Sequence, residues 1–167
     1  TAQHAGVLYF RASAMSIHPG HLRKYVIRPT LKYMGHYSEA AVELLMMTAA
    51  AESNLGEFFH QVGGPALGIY QMEPATYRDI LENWRQYRAI NDTVQQLGRD
   101  VRDLPGNLYY ATAMARCHYL RVSEALPNPV NVQAMAEYHK RYYNTMLGAA
   151  EVGKTVRKYQ TLAMPND

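Results

Sequence analysis

Residues 38–76 read SEAAVELLMMTAAAESNLGEFFHQVGGPALGIYQMEPAT. The stretch has three parts. A helix-forming run ends in a carboxylate, a glycine-rich turn follows, and a short apolar run then reaches a proline. Ser38 is a strong N-cap residue, and Glu39 sets negative charge at the positive end of the helix dipole. The interior is built from Ala, Leu, Met and Glu, which favour helix. Ala41, Leu45, Thr48 and Glu52 recur at i, i+4, i+7 and i+11, so they share one face. The same face carries apolar side chains and is expected to point inward, with Glu52 on the buried side of the last turn. Asn54 and Gly56 supply the helix end.

Burial and the negative end of the helix dipole both disfavour the charged form of a carboxyl group at that position. A carboxyl group that keeps its proton near neutrality is what a general acid for glycosidic cleavage requires. The other reading of an isolated Glu at a helix end is an exposed or salt-bridged side chain. The residues that follow favour the first reading. Gly63-Gly64-Pro65-Ala66-Leu67-Gly68 is a turn with little side chain, where backbone can approach a ligand. Ile69-Tyr70-Gln71-Met72 embeds one amide in an apolar run, and Pro74 opens the next helix.

Glu52-Ser53, then Gly68-Ile69-Tyr70-Gln71, then Pro74-Ala75-Thr76 resembles the motif of the lytic transglycosylase and goose-type lysozyme group within the lysozyme-like superfamily. That motif is Glu-Ser, a short loop, Gly-Leu-Met-Gln, and then proline and threonine. The version here looks most like small bacteriophage muralytic proteins, and the likeness spans about residues 20–160. The resemblance implies a mainly α, lysozyme-like single domain with a minimal β or extended segment near residues 67–72. It also implies a peptidoglycan-cleaving glycosidase acting on the β-1,4 bond between N-acetylmuramic acid and N-acetylglucosamine, with Glu52 as general acid and base. A late Ala-Tyr-Asn-Ala-Gly motif in the family supplies a tyrosine that reaches the catalytic carboxyl. Its best match here is Tyr142-Tyr143-Asn144-Thr145, without the flanking small residues. Tyr143 is thus either the partner of Glu52 or a packing tyrosine.

The candidate site is therefore Glu52 as catalytic residue, with Ser53, Gln71, Glu73, Tyr143 and Asn144 on the substrate side. Gln71 can both donate to and accept from a sugar or its N-acetyl group. Ser53 is expected to support the helix end or Glu52 itself. Glu73 departs from the family, which is usually apolar there. If residues 71–73 are extended, Gln71 and Glu73 face the same way, and Glu73 could activate water for hydrolysis. The other role open to it is stabilising the start of the next helix. The implied partner is peptidoglycan glycan strands, met at the bacterial cell wall in the periplasm. The protein would get there through a phage lysis system or on the virion. No metal or organic cofactor is implied. A non-catalytic glycan-binding or virion structural protein is the rival reading.

The remaining composition narrows the classes. The chain has 167 residues and a formal charge of +3, with 14 tyrosines, three phenylalanines and a single cysteine. One domain and a monomer are expected. Cys117 sits in a helical pattern and reads as a small buried residue. No apolar run reaches transmembrane length, and no clustered basic stripe suggests nucleic acid. Arg99, Arg102, Arg116 and Arg121 read as solvated. Most of the tyrosines read as packing residues between core and surface.

Residues 1–14 lack a clear period and read as a flexible or appended arm, with the catalytic domain over 15–167. Helices are expected from His18 to Gly35 with a disruption at Pro29, and from Pro74 to about Tyr87. A short helix near Asn91–Leu97 falls within a surface excursion. Further helices run over Asn107–Ala125, from Asn131 with Val132, Met135, His139 and Tyr142 on one face, and from Gly153 to about Leu162. His118 reads as a core histidine.

Overall fold

The computed structural model describes residues 16–145 and 149–164. The arm expected over residues 1–14 lies outside them. The described chain is mainly helical and contains isolated β-bridges but no named strand.

Helix α1 starts at Pro19–His21, continues as a π-helical stretch over Leu22–Ile27 and returns to α over Arg28–Met34. The wide turn answers the proline. Pro29 has no N–H and its ring crowds the carbonyl four residues back. The N–H of Arg28 instead bonds the carbonyl of Arg23, five residues back, so the expected disruption takes the form of a π-bulge. Gly35, in the left-handed region at φ 73°, ends the helix.

Helix α2, Glu39–Ser53, begins as expected with the Ser38 hydroxyl accepting from the N–H of Ala41. It is buried on every side along most of its length, from Ala41 to Ala50. It packs against the helices Leu108–Leu120, Val132–Tyr142 and Ala149–Lys158 and against the π stretches Leu22–Ile27 and Tyr159–Ala163. The four-residue face read from the sequence is thus one side of a central helix. Leu45, Met46 and Met47 have no exposed surface, and burying each contributes about 1.5–3 kcal/mol.

Helix α3 is Pro74–Asn83 and α4 is Tyr87–Gln95. Trp84 takes an extended conformation and separates them. The helix expected to run to about Tyr87 thus ends at Asn83, and α4 extends into the surface excursion expected over 88–106. Ile90 and Val94 are buried on one side, the other residues of that stretch of helix are exposed or half-buried, and it packs on the helix Leu108–Leu120. Helix α5, Leu108–Leu120, is capped by Asn107. It stops short of the expected Ala125, because Val122 and Ser123 are poor helix formers and Val122 turns back, its N–H bonding the carbonyl of Tyr119. Helix α6 is Val132–Tyr142 and α7 is Ala149–Lys158, extended by a π stretch over Tyr159–Ala163.

One contiguous apolar cluster joins these helices. Cys117 is fully buried within it. So are Tyr70, Tyr110 and Tyr119, whose hydroxyls bond Thr112, Tyr77 and Thr48 respectively. Two of the arginines read as solvated are not. Arg116 is 9% exposed and donates to the carbonyl of His36, and Arg121 turns inward to the site described next.

Candidate active site

The C-terminal end of α2 and the segment after it build the site. Asn54, Leu55 and Gly56 all have positive φ, at 50°, 59° and 83°. They reverse the chain tightly just beyond Glu52, as Asn and Gly at a helix end allow. Ser53 corrects the expectation of a substrate contact. It has no exposed surface; its hydroxyl lies 2.6 Å from the carbonyl of Ile69 and accepts from the N–H of Gly56. Ser53 therefore ties the helix end to the Gln71 turn.

That turn is a tight hairpin. Leu67 and Met72 exchange both backbone hydrogen bonds, at 2.9 and 3.0 Å, and residues 68–71 form the reversal. The expected extended run is thus a turn, and the alternation argument for Gln71 and Glu73 does not hold. Gln71 has φ 48°, a left-handed conformation that is costly for a residue with a side chain. Its amide nitrogen donates to the carbonyl of Gly68 at 2.9 Å. A side chain at Gly68 would strike the carbonyl of Leu104 at 2.6 Å, so this glycine is required by close approach as well as by its φ of 80°.

A cleft of about 600 Å³ opens beside these elements. Glu52, Gln71, Glu73, Tyr143 and Asn144 all line it, so five of the six expected residues converge although they come from both ends of the chain. Glu73 is exposed, and although it is the N-cap of α3, its side chain makes no capping hydrogen bond.

Glu52 is held by α6 and the residues just past it. His139 Nε2 lies 2.9 Å from Glu52 Oε1. Asn144 Nδ2 donates to the same oxygen at 3.2 Å and stands 3.5 Å from Oε2. Tyr143 is not the partner: its hydroxyl donates to the carbonyl of Tyr70 at 2.8 Å, locking the hairpin. Burial, and then the charge of Glu52, push the Tyr143 phenol far above its usual range, so it is a neutral donor. Its ring stacks on His139 with centroids 5.7 Å apart. His139 is the residue beside Glu52 that sequence reasoning missed. Its place on the inward face with Val132, Met135 and Tyr142 was the available signal.

His118 also lines the cleft, where the sequence reading made it a core residue. Arg121 reaches back to it, with Nη2 2.6 Å from His118 Nδ1 and Nη1 2.5 Å from Asp79 Oδ2. Burial, helped by the Arg121 charge, lowers the His118 pKa to about 4. The imidazole is therefore neutral near pH 7 and accepts at Nδ1. On the other flank Lys158 donates to the carbonyl of Ala51, at the C-terminal end of α2.

Among the described residues no group of three or more His, Cys, Asp or Glu side chains is arranged to hold a metal ion. No protein-family model matches the chain, and neither a characterised protein nor a solved structure matches it.

Proposed function

We propose that this protein is a peptidoglycan-cleaving glycosidase of lysozyme-like fold, with Glu52 as its general acid and base. The observation that carries the reading is one carboxyl group at a helix end, held by His139 and Asn144 and lining an open cleft. Gln71 and Asn144 beside it offer donors and acceptors to a sugar, and Tyr143 packs behind them.

In the proposed reaction Glu52 gives its proton to the glycosidic oxygen between N-acetylmuramic acid and N-acetylglucosamine, and the C1–O bond breaks. The muramoyl 6-hydroxyl then attacks C1 and returns its proton to the Glu52 carboxylate, leaving a 1,6-anhydro end. This is the lytic transglycosylase route. A hydrolytic route has a specific support in Glu73, a second carboxylate on the same cleft that could activate water. On this reading the protein acts on glycan strands of the bacterial wall as a phage-type lytic enzyme.

The test is digestion of purified sacculi with mass spectrometry of the products. Anhydro or reducing muropeptides released by the protein, and absent with Glu52→Gln, are expected. Intact sacculi with the folded wild-type protein would replace this reading with a glycan-binding one.

A further inference from the structure

His139 has no exposed side-chain surface, and its Nδ1 is sealed without a hydrogen-bond partner. A buried N–H without an acceptor is costly, at about 1–3 kcal/mol. A bare lone pair on Nδ1 is an unpaired acceptor and is costly as well, but only the Nε2–H tautomer offers Glu52 Oε1 a donor. The Nδ1–H tautomer leaves its N–H unpaired and also sets a bare nitrogen against that oxygen. The Tyr143 ring stacked on the imidazole at an interplanar angle of 19° covers one face of it. Nδ1 therefore stays unprotonated, Nε2 carries the hydrogen, and that hydrogen points at Glu52 Oε1. Oε1 thus receives two donors, His139 Nε2–H and Asn144 Nδ2–H.

An oxygen that accepts two hydrogen bonds is the poor place for the acid proton, since a third hydrogen there meets the donors head-on. Oε2 has only the 3.5 Å approach of Asn144. Glu52 lines the cleft and His139 does not. We infer that His139, fixed as its Nε2–H tautomer, is a positioning residue that with Asn144 occupies Glu52 Oε1 and so places the acidic proton on Oε2, toward the cleft. The inference rests on the proposal that Glu52 is the acid. It adds that the direction of proton delivery is set by a histidine that never touches the substrate.

Two measurements separate this inference from the reading beneath it. The first needs no activity. In protein carrying ¹⁵N-histidine, the nitrogen shifts of His139 at neutral pH report its tautomer. A neutral Nε2–H ring is expected. A neutral Nδ1–H ring, which would accept a proton from Glu52 at Nε2, overturns the clamp whatever the enzyme does. The second uses His139→Leu and His139→Gln with soluble glycan strands. The glutamine amide can restore a donor near the Nε2 position. His139→Leu should lower kcat by about 30-fold with KM within about twofold, and His139→Gln should return to within about fivefold of wild type. Equal activity of His139→Leu and wild type overturns the inference. So does an equal loss in both variants that follows their melting temperatures. If wild-type protein leaves sacculi intact, the glycosidase reading falls and the tautomer alone decides the clamp.

Discussion

Glu43 and Glu52 both project from α2 into the protein, nine residues apart, with opposite surroundings. Glu43 is 8% exposed. Arg23 meets it with two parallel contacts, Nε to Oε1 at 2.7 Å and Nη2 to Oε2 at 2.8 Å. The Tyr159 hydroxyl donates to Oε2 at 2.6 Å. Arg23 Nη2 also bonds the carbonyl of Ala163. Every charge in that group is matched, and it ties α1, α2 and the end of the chain together. Glu52 has no arginine beside it: His139 and Asn144 meet it, chiefly on Oε1, and it lines the cleft. Both oxygens of Glu43 are taken up by Arg23 and Tyr159, whereas Glu52 Oε2 has only the 3.5 Å approach of Asn144 in a residue that lines the cleft. On the proposed reading the helix uses one glutamate for cohesion and the other for chemistry.

Neutralising each in turn is the most direct way to break that comparison. Glu52→Gln should lower glycan cleavage by about 10³-fold, the size of a general acid's contribution, while its thermal melt stays within about 2 °C of wild type. Failure of the Gln variant to lose activity would mean the two glutamates do not divide the work this way. Arg23→Met should do the reverse. Removing one partner strands a buried charge at a cost of about 3–5 kcal/mol, or about 10 °C in melting temperature for a domain of this size. The double variant Arg23→Met, Glu43→Leu should recover most of the loss, because an apolar pair removes the uncompensated charge. Calorimetry of the three proteins decides the point.

A smaller effect concerns His118, which lines the same cleft. His118 has a pKa of about 4 in the folded protein, lowered by burial and by Arg121. Above pH 6.5 the imidazole is neutral whether the chain is folded or not. As pH falls from 6.5 to about 4 the unfolded chain binds a proton that the native site refuses, so stability falls with pH in that window. Below about 4 both states are protonated and this contribution stops changing. His118→Gln should remove up to about 3 kcal/mol of the pH dependence between 6.5 and 4. His36, whose pKa is also lowered by burial and then by Arg116, acts with the same sign but is common to both proteins. Denaturant titrations at pH 7 and pH 4.5 give the comparison.

The sequence made the helix end legible because its signals are local. Ser38, the Ala41–Glu52 face, Asn54 and Gly56 all act within a few residues of themselves. Convergence of Gln71, Tyr143 and Asn144 on one cleft followed from the motif resemblance, whereas Glu73 was placed there by an alternation that the turn does not have. What was lost depends on partners remote in sequence. Glu43 sits among Ala, Val and Leu, and its burial makes sense only once Arg23 and Tyr159 are beside it. The role expected of Tyr143 belongs to His139, since α6 ends at Tyr142 and the phenol beyond it reaches the Tyr70 carbonyl instead. The Gln71 segment read as extended because its composition is apolar. A positive φ at a residue other than glycine has no composition signal.

The smallest expected effect sharpens the comparison by adding a third carboxylate. Glu73 shares the cleft with Glu52, but unlike Glu43 it is exposed and without a salt-bridge partner among the described residues. Its place at the N-cap of α3 gives it a second role, charge at the positive end of a helix dipole, worth about 0.3–1 kcal/mol for an exposed group. The missing capping hydrogen bond leaves only that dipole contribution. Glu73→Gln should therefore change stability by about 0.5 kcal/mol or less and overall cleavage by under about tenfold. The informative readout is the product. If Glu73 activates water, the glutamine variant releases fewer reducing ends and proportionally more 1,6-anhydro ends, because the amide cannot take a proton from water while the muramoyl 6-hydroxyl still depends on Glu52. An unchanged ratio of the two ends makes Glu52 the sole carboxylate of the reaction and leaves Glu73 as a helix-start residue.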